Sequence, residues 1–152
     1  MQIVKDKILL NENSFIKKAE EHIKKDLKTH QLDKKIIKKL KDAQGDEVLI
    51  CTINGDYVRD KQPGLDFDEF TDGGHYYVDY KLPKAEQKYA KHIPENEIWI
   101  DDLFELKLND MRAILQHEFV ERNLMKYKGY TYEKAHLIAN KKEVEYRQRV
   151  KI

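Results

Sequence analysis

The chain has 152 residues, 29 Lys and Arg against 28 Asp and Glu, a formal net charge of +1 and a single cysteine. That length suits a single domain over residues 1–152, able to bury about two-thirds of its unfolded surface without a metal or disulfide staple. A lone Cys51 excludes an internal disulfide and points to a reducing compartment, the cytoplasm, and no window approaches the ~18 apolar residues of a membrane span.

The small total conceals a division along the chain: residues 1–44 carry +5, 45–110 carry −9 and 111–152 carry +5. Lys-rich flanks of this kind are better read as solvated helix faces than as a nucleic-acid interface. In chain order, Asn13 or Ser14 is placed to cap a helix beginning at Phe15, whose inward face is Phe15, Ala19, His22 or Ile23, and Leu27. Asp33 is expected to cap a second helix, with Ile36, Ile37 and Leu40 inward, lysines outward and Gly45 at its end. His22 and His30 read as surface residues.

From Glu47 the period changes. Val48 to Ile53 is a β-branched, apolar run followed by Asn54-Gly55, which predicts a hairpin with residues 56–59 across a type I′ turn. Residues 60–74 read as a loop in which Asp66, Asp68, Glu69 and Asp72 crowd together without the spacing of a calcium loop. His75–Tyr80 and Glu97–Asp101 read as strands. Two glycines precede His75 and allow the backbone to approach another group closely, so His75 is the candidate site residue from the sheet.

Asn109 or Asp110 opens a long helix, Gly129 ends it, and Thr131 caps the next, giving a helical hairpin. At ~100° per residue, Glu118 falls within the inward stripe of Met111, Ile114, Leu115 and Met125, with His117 and Glu121 on its flank. The second helix repeats the anomaly, since His136 and Glu143 lie within its stripe and Asn140 at its edge. A rise of ~1.5 Å per residue sets Glu121 level with His136 and places His117 opposite Asn140 and Glu143, while Ala135 and Ala139 let the helices close.

Burying these ionisable groups requires that they neutralise one another or that a cation neutralises them. His117, Glu121 and His136 form a three-ligand nitrogen and oxygen set for zinc, with a position open for water; iron and manganese suit it less well. Glu118 is the candidate general base, and Glu143, Asn140, His75 and Arg122 are candidates to support the site or to bind substrate. A bland reading pairs Glu118 with Arg122 at i, i+4 and makes His136 a hydrogen-bonded core residue.

His117-Glu118-Phe119-Val120-Glu121 resembles the H-E-x-x-H helix of the zincin metallopeptidases, with Glu in place of the second His and His136 in place of the downstream Glu of gluzincins. The wider run, about residues 94 to 147, is similar to small uncharacterised proteins of bacteria and phages. The resemblance implies a zinc-dependent hydrolase acting through a metal-activated water, on a substrate the sequence does not identify. The alternative is a non-catalytic bacterial or phage accessory protein with a structural polar or metal cluster between its last two helices. The expected fold is α+β, with N-terminal helices, a small, mostly antiparallel sheet and a C-terminal αα-hairpin that carries the site. Strand order and oligomeric state are not readable.

Overall fold

The structure is a computed structural model that describes residues 13–21, 31–61 and 73–150. The chain divides into two units, Met1–Gln31 and Leu32–Ile152. In the first, residues 13–21 are helical (α1), as expected for the stretch from Phe15. The remainder of that expected helix, with His22, Ile23, Leu27 and His30, lies outside the described residues, as do Asp66, Asp68, Glu69 and Asp72 of the acidic loop.

The second unit runs β1 (Lys35–Lys41), β2 (Glu47–Ile53), α2 (Gly55–Lys61), β3 (Gly73–His75), β4 (Glu97–Asp101), α3 (Leu108–Lys128) and α4 (Tyr132–Val150). The four strands form one sheet in the order β1-β2-β4-β3. β1 pairs with β2 and β3 with β4 antiparallel, while the central β2 and β4 run parallel, with Ile50 opposite Ile98 and Cys51 opposite Trp99. The architecture is α+β, with a mixed sheet and a C-terminal helical hairpin.

Both central strands are buried on both faces, which is why β2 is an unbroken apolar run rather than an alternating one. Val48, Ile50, Ile98 and Ile100 pack on Met111 and Ile114 of α3. Cys51, Ile53 and Trp99 turn the other way, onto Val58 of α2 and Ile93. Each fully buried aliphatic side chain here contributes about 1.5–3 kcal/mol. Burial, and after it the Glu97 carboxylate, pushes the Cys51 thiol up to about 11, so this cysteine is a packing residue.

Three expectations fail, the first two for identifiable reasons. Residues 35–41 form an edge strand, not a second helix, and Asp33 has φ 51° rather than the backbone of a cap. The register shifts between Ile36 and Lys38, a bulge that inserts Ile37 and breaks the period of two. Ile36, Ile37 and Leu40 therefore mimic helical spacing on a bulged strand. Gly45, with φ 87°, belongs to the β1–β2 turn, which is closed by hydrogen bonds from Asp42 N to Asp46 O (2.9 Å) and from Gly45 N to Asp42 O (3.0 Å).

The second failure is the hairpin predicted at Asn54-Gly55. Asn54 instead caps α2: its Oδ1 accepts from Asp56 N at 3.0 Å and Tyr57 N at 3.2 Å. Gly55 lacks the positive φ a type I′ turn requires, and a Cβ on it would run into the Asp101 carboxylate. The strand expected over His75–Tyr80 also stops at His75, where Tyr76–Val78 becomes a 3-10 turn.

The C-terminal hairpin follows its sequence signals. Gly129 ends α3 with φ 65°, and Lys134 N donates to Thr131 Oγ1 at 3.3 Å at the start of α4. Ala135 and Ala139 are fully buried where the two helices meet. Among the described residues, no helix is long and apolar enough to cross a membrane. Because Asn54 acts as a helix cap, Asn54→Ala is expected to cost about 1 kcal/mol in urea denaturation, and Asn54→Ser to recover most of it.

Candidate metal centre

Three elements deliver one imidazole each to a single carboxylate. Glu121, on the buried face of α3, has a side chain only 2 % exposed. Its Oε1 lies 2.9 Å from His75 Nε2, and its Oε2 lies 2.8 Å from His136 Nδ1 and 3.2 Å from His117 Nε2. His117 is one helical turn before Glu121, His136 faces it from α4, and His75 arrives at the end of β3. The His117 and His136 rings meet edge to face at 4.8 Å between centroids.

The arrival of His75 depends on the glycine two residues before it. A Cβ at Gly73 would stand 2.8 Å from the Trp99 carbonyl oxygen and 3.3 Å from Glu118 Cγ, so only glycine lets β3 press between β4 and α3. Glu118 is buried beside this strand, with Oε2 3.9 Å from His75 Nε2. The groups open onto a cleft of about 290 Å³, whose walls include Tyr89, Ile114, Tyr132, His136, Asn140 and Glu143.

Behind His117 runs a chain of charges. Glu143 Oε1 lies 3.2 Å from His117 Nδ1, and Glu143 Oε2 accepts from Arg147 Nε at 2.9 Å. Arg147 Nη1 in turn donates to Asp110 Oδ1, in the first turn of α3, at 2.8 Å. A carboxylate behind an imidazole fixes its tautomer and makes its other nitrogen a better ligand. Tyr132, whose ring is 5.1 Å from that of His136, forms part of the cleft wall.

Burial disfavours a charged imidazole, yet contacts with Glu121 and Glu143 and the charge of Glu118 hold His117 up to about 10. Burial likewise works against the Glu121 carboxylate, but the bonds from His117, His136 and His75 keep it well below the usual range. His75, fully buried, goes the other way: desolvation, assisted by the positive charge of Arg122, outweighs Glu121 and lowers its pKa. Donor atoms of His117, Glu121 and His136 all lie within 4.8 Å of one another, as do those of His75, Glu118 and Glu121. This mixed nitrogen and carboxylate set fits a divalent ion of borderline softness.

The sequence-predicted residues therefore gather, with one exception. His117, Glu118, Glu121, His136, Asn140 and Glu143 line the cleft, fully buried His75 joins them through Glu121, and Glu143 is the residue that meets His117. Arg122 does not line the cleft: it donates to Glu95 O at 2.9 Å and Asp42 Oδ2 at 3.4 Å and lies over the Tyr77 ring. The bland pairing of Glu118 with Arg122 is replaced by those bonds. Sequence reasoning missed Arg147 and Asp110; the i, i+4 spacing of Arg147 from Glu143 was a usable signal.

Comparison with protein-family models, curated proteins and solved structures finds no match.

The raised His117 pKa has a measurable consequence. Its folded value, about 10, lies above the reference 6.5, so its stabilisation is complete below about pH 6.5 and is lost as pH rises toward 10. In chelator-treated protein, thermal stability is expected to fall as pH is raised from about 6 to 9. His117→Gln should flatten that slope.

Proposed function

We propose that the chain is a metal-dependent hydrolase in which His117, Glu121 and His136 hold a divalent ion, zinc being the best fit, and Glu118 serves as general base. The observation that carries this reading is the meeting of two imidazoles on one carboxylate oxygen at 2.8 and 3.2 Å, at the floor of a cleft that Glu118 also lines. The resemblance of His117-Glu118-x-x-Glu121 to a zincin helix supports the same assignment.

Held by His117, Glu121 and His136, a divalent ion would supply Lewis acidity, lowering the pKa of water toward about 7 and polarising a carbonyl or phosphoryl oxygen. The side chains do the rest. Glu118 takes the proton of the attacking water and returns it to the leaving group, so that the bond to the leaving group is cleaved with no net change in protonation. Glu143, braced by Arg147 and Asp110, holds the His117 ring in register. Tyr132 and Tyr89 narrow the cleft and shield the reacting groups from bulk water, and Asn140 offers a polar contact at its edge. The lone, buried Cys51 suits a reducing compartment such as the cytoplasm.

Protein purified without a histidine tag should carry about one equivalent of zinc or more by elemental analysis, and His117→Ala or His136→Ala should lose it; no bound metal in the wild type would overturn the assignment. Glu118→Gln should retain metal while hydrolysis of a peptide and ester panel, followed by mass spectrometry, drops by about 10²-fold or more. Wild-type turnover that survives Glu118→Gln undiminished would remove Glu118 from the chemistry.

A further inference from the structure

The two oxygens of Glu121 face different partners. Oε2 faces His117 and His136, whereas Oε1 faces His75, 2.9 Å away, and the same His75 nitrogen stands 3.9 Å from Glu118 Oε2. His75, Glu118 and Glu121 are all buried, and their donor atoms lie within 4.8 Å of one another. A tetrahedral ion at about 2.0–2.1 Å from its ligands spaces them about 3.3–3.4 Å apart. The observed separations fall on either side of that value, so small rotations of the side chains close the set around an ion.

Charge supports the same conclusion. Asp110, Glu118, Glu121 and Glu143 surround the site with four carboxylates, and Arg147 is the cation bonded among them. Carboxylates buried this close together favour a bound cation over bare burial of their charge. Gly73 brings its strand into contact with Glu118, so His75 and Glu118 are placed together by the backbone.

We propose that a second divalent ion binds at His75, Glu118 and Glu121, with Glu121 bridging it to the ion at His117 and His136. The inference rests on the first ion site proposed above and extends it. A carboxylate that gives one oxygen to each ion holds the pair about 3.5–4 Å apart. The second position engages Glu118 as a ligand, so the proton-accepting role of Glu118 belongs to the one-ion state. Occupancy of the second position is then a means by which metal supply alters the chemistry of the cleft.

The test counts ions and asks whether they communicate. Untagged protein is stripped with chelator, titrated with zinc and weighed by native mass spectrometry; a parallel sample takes manganese(II) and is read by electron paramagnetic resonance. The expected result is two zinc ions per chain and a spin-coupled manganese pair in place of the isolated six-line signal. His75→Gln, checked for folding by circular dichroism, should retain one ion and restore the isolated signal. A wild-type maximum of one ion overturns the second site but leaves the first intact. No ion at all overturns both. Two ions whose manganese signal is uncoupled, or a folded His75→Gln that still takes two, overturns the bridged arrangement.

Discussion

The structure turns on a carboxylate buried at the floor of the cleft. An ionised Glu121 left alone in the interior would cost several kcal/mol, and the chain meets that cost with imidazoles drawn from a strand, from its own helix and from the facing helix. Each contact constrains a different part of the architecture. His136 requires α3 and α4 to approach through Ala135 and Ala139, and His75 requires β3 to pass against α3 through a position that admits no side chain. The polar centre and the packing of the unit are therefore one problem with one solution.

The residue next in sequence carries a complementary charge into a second buried network. Arg122, 1 % exposed, bonds to Glu95 and Asp42. Asp42 Oδ2 also accepts from Lys126 and Tyr127, while its Oδ1 accepts from the backbone of Gln44 and Asp46 within the β1–β2 turn. Burial opposes the Asp42 charge, but these donors hold its carboxyl well below the usual range. One face of α3 thus gathers the site while its neighbour fastens the sheet's first hairpin, which explains how a helix that buries His117, Glu118, Glu121 and Arg122 still belongs to a core.

The last two helices were legible because every relevant signal is local and helical geometry is regular. Gly129 and Thr131 set the turn, and phase and rise alone placed His117, Glu121, His136 and Glu143 at one seam. The sheet was less legible. A bulge at Ile37 produced a helical spacing on a strand, and Asn54-Gly55 serves a helix start as readily as a hairpin, the choice being made by Asp101 packing where a Gly55 side chain would be. His75 was signalled only by the glycines before it. Arg147 and Asp110 meet across 37 positions of sequence, a pairing that exists only once the hairpin has closed.

Within the segment between β3 and β4, one side chain fastens three successive backbone nitrogens. The Asp79 carboxylate accepts from the backbone nitrogens of Lys88, Tyr89 and Ala90, and the Tyr89 ring lies where a Cβ on Gly74 would be, forming one wall of the cleft. A wall pinned by its own backbone is a fixed jaw rather than a flap. One wall of the cleft over the polar floor is thus set by a turn remote in sequence from the helices that carry His117, Glu118, Glu121 and His136.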